Sequence, residues 1–331
     1  MGLGHLGGLT AIIKRMAIFT VVIEATGAII FYFYFSSVMS AGSAAWNAVF
    51  QSISAFNNAG FDLFGGFQSL SVYAGSPVMV LTTAVLIILG GISFLVVADI
   101  LRKRKWLRLT LDTRLVITMT GILLIGGTIV ILISEYNNPA TLGGMPVPEK
   151  LMNAFFQAVT SRTAGFCTFS TAAIHDYALF FTMLLMFIGG ASGSTAGGIK
   201  VNTAGALLGT TWSAIRGSEH VRMFNRELII TQIYRALAVI IVSLITIAVV
   251  VFTLTLTENQ PFLDLLFETF SAFGTVGLST GITPFLTIAG RIIITFTMFI
   301  GRLGPLALVL ALVQRQKTAH FRYPAESIRI G

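Results

Sequence analysis

The sequence predicts an all-α integral membrane protein of repeated units, each a span, a short re-entrant helix and a second span. Of its 331 residues, 55% are hydrophobic and 10% are charged, whereas soluble domains carry roughly 25% charged residues. Mean hydropathy is +0.87, and several apolar runs reach the length of about 20 residues that a transmembrane helix needs. These values exclude a soluble enzyme, a disordered chain and a nucleic-acid-binding protein. A single cysteine, Cys167, excludes an intrachain disulfide and a zinc cluster.

Six apolar segments are predicted to cross the lipid bilayer. Basic residues cluster at 14–15, 102–114, 216–226 and 315–329, and the alternate polar segments hold few of them. Because cytoplasmic loops carry the excess of Lys and Arg, we expect a multi-pass protein of the cell (plasma) membrane with both termini in the cytoplasm. The six predicted spans are residues 16–38, 77–100, 115–135, 177–208, 228–257 and 285–313.

Acidic residues follow the opposite distribution and lie in the segments predicted to face outward. Such an excess would concentrate cations at an outer mouth. The alternative, that acidic residues are simply tolerated in translocated segments, stays open. The residues are Asp62, Glu135, Glu149, Asp176, Glu258, Asp264 and Glu268.

Each outward segment repeats one pattern, a short amphipathic stretch that runs into a glycine. The copies are residues 46–61, 152–166 and 263–278, and the second is one residue shorter. Self-similarity of this kind indicates repeated structural units. Equivalent positions hold Asn47, Asn153 and Asp264, then Gln51, Gln157 and Glu268, and finally Gly60, Gly165 and Gly277.

The repeated stretches are too short to cross a bilayer, which favours re-entrant helices. A helix that enters from outside directs its partly negative C-terminal end toward a cation at the membrane centre. Glycine permits the positive φ angles that a ladder of carbonyl oxygens needs, and Thr275-Val276-Gly277 is typical of a potassium-channel filter. We therefore predict potassium-channel-like units with three pore loops and K⁺ bound at the filter. The predicted filter residues are Asn58, Ala59, Gly60, Thr163, Ala164, Gly165, Thr275, Val276 and Gly277.

A glycine-rich segment interrupts the fourth predicted span at residues 188–200. Glycine disfavours a helix there, so the segment is predicted to be a mobile gate below the filter. A phosphate-binding loop is excluded because Gly198-Ile199-Lys200-Val201 lacks the Gly-Lys-Ser/Thr arrangement. Close packing of helices through small residues remains the alternative. The predicted gate residues are Gly189, Gly190, Ser192, Gly193, Ser194, Thr195, Gly197 and Gly198.

Charged residues inside predicted spans are costly and indicate function. Arg302 is predicted to be an electrostatic barrier in the pore, with a structural arginine bonded to helix-end carbonyls at Gly304-Pro305 as the equal alternative. Lys200 is either linked to the gate or directed to the interface. Arg162 is predicted to support the filter by donating to neighbouring loop carbonyls. Glu24, Arg235 and Arg291 lie nearer span ends, where charged side chains reach the interface.

Three motifs, together with the repeat, make the chain resemble the Trk/Ktr/HKT cation transporter superfamily. They are Ser161-Arg-Thr-Ala-Gly-Phe166, Gly189-Gly-Ala-Ser-Gly-Ser-Thr-Ala-Gly-Gly-Ile-Lys200 and Gly301-Arg-Leu-Gly-Pro305. Within that superfamily the chain is most similar to the KtrB-type potassium-translocating subunit. The resemblance covers essentially the whole sequence, including the tail at 321–331.

The resemblance implies pseudo-fourfold units around one pore, each with a glycine in its filter strand. It also implies a gating loop in the third family unit and a pore arginine in the fourth. Further implied are a homodimer with one pore in each protomer and a cytosolic nucleotide-binding regulatory ring of the RCK type. That ring binds ATP or ADP in place of the membrane subunit, so no cofactor is expected on this chain.

Three units are predicted here, at 16–108, at 109–215 with the gating loop, and at 216–313. They lie between a cytoplasmic N-terminus at 1–15 and a cytoplasmic tail at 314–331. They match family units two, three and four. A pore walled on three sides would expose polar backbone to lipid. We therefore expect a mis-assigned start, a fragment, or another polypeptide that fills the gap.

The predicted function is uptake of potassium, a monovalent cation, driven by the electrochemical gradient; it is not enzymatic. Sodium dependence and the choice between K⁺ and Na⁺ stay open. The alternative is an incomplete or structural subunit that needs another polypeptide to close the pore. Asn138-Pro139-Ala140 is typical of aquaporins, but those pores need two copies. An intramembrane enzyme would need residues such as histidine within spans, whereas His5, His175, His220 and His320 lie outside them.

Overall fold

The computed structural model describes residues 3–66, 68–218 and 220–304. Within these ranges the chain forms eleven α-helices and one short hairpin. Four single-turn 3₁₀ helices lie between them, at Ser71–Tyr73, Trp106–Arg108, Thr171–Ala173 and Thr283–Phe285. The α-helices are α1 (Leu3–Phe35), α2 (Ala41–Phe56), α3 (Pro77–Gly91), α4 (Phe94–Lys103), α5 (Leu111–Glu135), α6 (Val147–Thr160), α7 (Asp176–Phe187), α8 (Val201–Ile215), α9 (Ile230–Thr257), α10 (Phe262–Gly274) and α11 (Ile288–Leu303), and the strands are β1 (Arg222–Met223) and β2 (Arg226–Glu227).

Three helices are long and apolar enough to cross a membrane: Thr10–Phe35 within α1, Leu111–Glu135 and Ile230–Thr257. A fourth crossing results if α3 and α4 together count as one span. These helices confirm an all-α membrane fold. The six spans predicted from sequence are not all single helices. The fourth is divided into α7 and α8, and residues 305–313 of the sixth lie outside the described part of the chain.

The second predicted span differs from expectation because it bends by 90° between α3 and α4. The carbonyls that a straight helix would use at this point are bonded elsewhere. Gly91 O accepts from Ala191 N at 2.9 Å, and Gly90 O accepts from Thr195 N at 3.3 Å. Ser93 then restarts the helix, since its side chain accepts from Leu95 N at 3.3 Å. The loop at 188–200, which interrupts another predicted span, therefore accompanies the bend and pairs its carbonyls.

The three short helices α2, α6 and α10 have 16, 14 and 13 residues, and each packs between longer helices. Helix α2 contacts α1 and α3, α6 contacts α3 and α5, and α10 contacts α7, α9 and α11. Buried aromatic side chains fill the spaces between them, including Phe31, Phe156 and Phe267. Large apolar side chains such as Phe33 and Phe252 are exposed on the outer faces of α1 and α9. Exposed apolar surface on this scale is typical of a lipid-facing protein.

The β1–β2 hairpin lies on the side predicted to face the cytoplasm and packs against the α4–α5 connection. Phe224 and Asn225 form its two-residue turn with φ of 50° and 61°, as a type I′ turn requires. Arg114 Nη1 donates to Phe224 O at 3.2 Å, and the Trp106 and Phe224 rings meet edge to face at 6.2 Å. The basic segment at 102–114 is thus joined to the segment that follows α8.

Glu258 joins the end of α9 to the start of α11. Its Oε2 accepts from Thr287 N at 2.9 Å and its Oε1 from Thr287 Oγ1 at 2.5 Å. Burial by itself would raise the pKa of Glu258, but the hydrogen bonds from Thr287 and Gly290 outweigh it and hold the pKa below its ordinary value. The contribution to stability is therefore present above the ordinary glutamate pKa and is lost as pH falls through the lowered one.

We predict that Glu258→Gln lowers the thermal midpoint of the detergent-solubilised protein at neutral pH and weakens its fall at acid pH. Glu149→Gln is the matched control, because Glu149 is a partly exposed glutamate in another outward segment. Thermal unfolding followed by tryptophan fluorescence from pH 3 to pH 8 measures both effects. Equal pH profiles for the wild type and Glu258→Gln would show that this carboxylate does not join the helices.

Candidate functional site

The side on which α2, α6 and α10 begin is called the outer side here, and each of these helices ends at a turn with unusual backbone angles. The first and third residues of every predicted filter segment have positive φ. The values are 51° and 73° at Asn58 and Gly60, 78° and 85° at Thr163 and Gly165, and 51° and 92° at Thr275 and Gly277. Positive φ is uncommon outside glycine. Its recurrence at three equivalent Asn and Thr positions shows that one backbone conformation is built three times.

The three turns lie side by side in chain order. A Cβ atom added to Gly60 would collide with Ala164 O, and one added to Gly165 would collide with Val276 O. A Cβ added to Gly277 would lie at an ordinary 3.7 Å from Gly165 Cα. The predicted filter segments are thus brought together, backbone against backbone, with carbonyl oxygens of the second and third at the contacts.

A hydroxyl side chain braces each turn, and this role was not predicted from the sequence. Ser54 Oγ donates to Phe61 O at 2.6 Å, Thr160 Oγ1 donates to Phe166 O at 2.6 Å, and Ser271 Oγ accepts from Gly277 N at 3.2 Å. The backbone carbonyls of the same three residues accept from Ala59 N, Ala164 N and Val276 N at 2.9, 3.0 and 2.8 Å. The repeat contained the signal, since each hydroxyl follows Gln51, Gln157 or Glu268 by three positions.

Asn58, Thr163 and Thr275, the first residue of each turn, place side-chain polar atoms at the inner end of the site. Asn58 and Thr163 are buried, at 3% and 0% exposed. Among the described residues their amide and hydroxyl atoms, and Thr275 Oγ1, have no hydrogen-bond partner. Buried polar groups normally are paired, so the inner end of the turns is unusual in holding unpaired polar atoms.

The predicted gate, residues 188–200, forms a compact loop between α7 and α8. Ile188 and Ile199 form a parallel bridge, and Gly189 N donates to Ile199 O at 2.9 Å. Near its middle, Thr195 Oγ1 donates to Gly90 O at 3.0 Å. Non-helical backbone at membrane depth must be paired within the protein or face water, and these bonds supply the pairing.

The loop lies against the inner ends of all three turns. Thr195 Oγ1 is 3.3 Å from Phe56 O, at the end of α2. A Cβ added to Gly189 would be 3.1 Å from Thr163 Cγ2, and one added to Gly197 would collide with Thr275 Oγ1. A displacement of the loop would therefore uncover the inner end of each filter segment.

Three basic side chains donate to carbonyls of this loop. Arg162 Nη2 is 2.9 Å from Gly189 O, and Arg302 Nη1 is 2.8 Å from Thr195 O. Lys200 Nζ donates to Ala196 O. Arg162 thus contacts the gate segment, although it follows α6 directly. The alternative prediction for Arg302 was a structural arginine bonded to helix-end carbonyls at Gly304-Pro305. Pro305 lies outside the described residues. The bond that the structure shows for Arg302 goes to the loop instead.

On the outer side, the glycines of the three turns line a cavity of about 880 Å³ together with Asp62, Ser279 and Arg291. The other outward acids include several that are bonded within the protein. Glu135 is fully buried and accepts from Asn138 Nδ2 at 2.6 Å and Thr141 Oγ1 at 2.7 Å. Glu268 accepts from Thr283 Oγ1 at 3.0 Å. Of the outward acids that were predicted to concentrate cations, Asp62 lines this cavity.

Glu24 is a further residue whose partner the sequence analysis did not anticipate. Its Oε1 accepts from Asn57 Nδ2 at 2.7 Å, and its backbone carbonyl accepts from Ser52 Oγ at 2.6 Å. Asn57 directly precedes the first filter segment. Both bonds join the long helix α1 to the end of the short helix α2, and no local sequence pattern connects residues so far apart.

The class of protein that this architecture defines is a membrane transport protein. It combines apolar spanning helices with short helices that are followed by glycine turns and with an internal loop between them. The family described as TrkH, cation transport protein, matches residues 4–321. The chain belongs to this family. Its membership confirms the resemblance stated from the sequence and confirms a transporter rather than an enzyme.

Individual relatives agree with this assignment. The chain is 40% identical over 326 residues to Ktr system potassium uptake protein B of Bacillus subtilis, across 98% of this chain and 73% of that protein. It is 36% identical over 337 residues to potassium/sodium uptake protein NtpJ of Enterococcus hirae, across 100% of this chain and 74% of that protein.

A solved structure shows the same fold. The crystal structure of the potassium transporter TrkH from Vibrio parahaemolyticus aligns with a TM-score of 0.72 and 18% identity. The alignment covers 92% of this chain and 64% of that one, so the chain spans somewhat less than two thirds of that structure. At this identity the similarity concerns the fold alone.

We predict that Thr160→Val weakens the second filter turn. Removing the hydroxyl leaves Phe166 O without its buried donor, which costs about 1–3 kcal/mol in the free energy of unfolding, and the turn loosens. Competition between K⁺ and Na⁺ for uptake into proteoliposomes should show lower selectivity. The matched control is Thr182→Val, because Thr182 is equally buried and donates within α7 to Ala178 O at 2.8 Å. An unchanged selectivity in Thr160→Val would contradict the bracing role.

Proposed function

We propose that the chain takes up K⁺ through a filter formed by residues 58–60, 163–165 and 275–277. The electrochemical gradient drives the movement. The observation that carries the proposal is the contact between neighbouring glycine turns, which places Ala164 O against Gly60 and Val276 O against Gly165. Backbone carbonyls in this arrangement replace the hydration shell of a monovalent cation.

The electrostatics of the turns favour a cation. Each turn follows the C-terminus of a short helix, where the helix dipole is partly negative. The names of the relatives from Bacillus subtilis and Enterococcus hirae describe potassium uptake and potassium/sodium uptake. These observations support K⁺ as the transported ion, and Na⁺ as its closest competitor.

The loop at 188–200 is proposed to be the gate, and Arg302 to be a barrier beside it. The support is positional, since the loop contacts the inner ends of the three turns and Arg302 donates to its Thr195 carbonyl. A fixed positive charge next to a cation pathway raises the energy of an ion that passes. Arg162 holds the opposite part of the loop through Gly189 O.

We further propose that the protein acts in the plasma membrane with both termini in the cytoplasm. The predicted units 16–108, 109–215 and 216–313 then share one orientation. As in the family it resembles, it would assemble as a homodimer with a cytosolic nucleotide-binding ring of the RCK type. The exposed basic residues Arg216, Arg222 and Arg226 support a cytoplasmic position for the hairpin, because Lys and Arg accumulate on that side.

We predict that Gly277→Ser abolishes most K⁺ uptake or its selectivity over Na⁺. Space for a Cβ exists at Gly277, so the change tests the backbone conformation at φ 92° rather than packing. Uptake of ⁸⁶Rb⁺ into proteoliposomes, with K⁺ and Na⁺ as competitors, measures the effect. Gly144→Ser is the control, since Gly144 has an ordinary φ and open space around it. Uptake with wild-type rate and selectivity in Gly277→Ser would refute the filter assignment.

We predict that Arg302→Gln raises the rate of K⁺ uptake by about two- to tenfold, because it removes a positive charge and weakens one bond to the loop. Arg226→Gln is the control, since Arg226 is an exposed arginine of the β1–β2 hairpin, away from the proposed filter and gate. Initial rates at fixed membrane potential are compared between the two variants. A lower rate in Arg302→Gln with normal protein yield would show that the arginine does not act as a barrier.

A further inference from the structure

An amide side chain joins the exposed lip of the loop, Ser192 and Gly193, to the start of another helix. Ser192 N, in the loop, donates to Asn202 Oδ1 at 3.0 Å. Asn202 Nδ2 in turn donates to Asp112 Oδ1. Asn202 lies in the first turn of α8 and Asp112 in the first turn of α5. The chain of bonds therefore runs from the loop, through α8, to α5.

The chemistry of the three groups requires an amide in the middle. A backbone N–H only donates and a carboxylate only accepts, whereas the asparagine side chain supplies one acceptor and two donors. The orientation of the Asn202 amide is set by these two partners. A carboxylate oxygen of Asp112 is the acceptor of the second bond.

The bridge anchors Ser192, the residue after Ala191, whose N–H donates to Gly91 O at 2.9 Å. Arg162, Thr195 and Arg302 connect the loop to the rest of the protein through Gly189, Gly90 and the Thr195 carbonyl. Ser192 and Gly193 are exposed. A cavity of about 470 Å³ borders this lip and is lined by Asp112, Ser192 and Asn202, among others. The lip therefore has room to move away from the filter once its bond to Asn202 breaks.

We propose that Asn202 is a positioning residue that keeps the loop closed by bridging Ser192 to Asp112. This inference rests on the proposed gating function of the loop. Loss of the bridge shifts the loop toward the displaced arrangement and raises cation flux, while the filter and its selectivity stay the same. A single hydrogen bond of this kind changes such an equilibrium by about two- to tenfold.

The test exchanges the two polar groups. Asn202→Asp keeps an acceptor for Ser192 N but removes the donor to Asp112 and places two carboxylates against each other. Their repulsion moves the side chain at 202 away from the position in which it accepts from Ser192 N, which breaks the bridge. In Asn202→Asp combined with Asp112→Asn, the new carboxylate accepts from both Ser192 N and the new amide, so the bridge forms again with its charge moved. Asp112→Asn alone keeps an acceptor at position 112 and should resemble the wild type. Thr203→Ala is the matched control, since Thr203 is the next residue and borders the same cavity.

Two measurements on the full chain separate the bridge from the transport function. Hydrogen–deuterium exchange of the peptide covering 188–200 should be about two- to tenfold faster in Asn202→Asp, and normal in the double variant and in Thr203→Ala. The rate of ⁸⁶Rb⁺ uptake should rise in Asn202→Asp and return to the wild-type value in the double variant. Competition by Na⁺ should be the same in all variants.

Each outcome decides one of the two ideas. Equal exchange in all variants, or no recovery in the double variant, would overturn the bridge. Faster exchange with no change in flux would overturn its role in gating. A wild-type protein that carries no cation would refute the proposed function, while the exchange result would still decide whether the bridge holds the loop.

Discussion

The arrangement of the site follows from the rule that irregular backbone at membrane depth must be paired within the protein or face water. Among the described residues, the three glycine turns and the thirteen-residue loop at 188–200 are the non-helical segments that meet at the site. Backbone groups of these segments are paired with the hydroxyls of Ser54, Thr160 and Ser271, the carbonyls of Gly90 and Gly91, and the side chain of Arg162. The same bonds therefore satisfy the backbone and place the turns beside the loop.

This constraint links features that are far apart in the sequence. The 90° bend between α3 and α4 accompanies the bonds by which the loop pairs the carbonyls of Gly90 and Gly91. The loop in turn reaches Arg302 on α11 and Asn202 on α8. A movement of the loop must consequently exchange bonds with all three predicted units together, which couples any such movement to α3, α5, α8 and α11.

Much of the site could be predicted from the sequence because it rests on local patterns. The three short helices and the turns at Gly60, Gly165 and Gly277 were visible as a repeat, and the loop at 188–200 as a run of glycines that disfavours a helix. The bend at Ile92–Ser93 could not be predicted, since it accompanies bonds to residues about a hundred positions away. The same holds for the Glu24–Asn57 and Asn202–Asp112 pairs, whose partners lie on different helices. The bracing hydroxyls could have been predicted, because they occupy equivalent positions in the three copies of the repeat.

The central claim is that the three glycine turns form one cation site, and thallium substitution tests it most directly. Tl⁺ replaces K⁺ in carbonyl-lined sites and scatters anomalously. In crystals of the protein grown with Tl⁺, we expect an anomalous peak between the turns at 58–60, 163–165 and 275–277, within coordination distance of their carbonyl oxygens. This peak should weaken when excess K⁺ is added. Tl⁺ peaks that occur only away from these turns, in protein that takes up K⁺, would contradict the account.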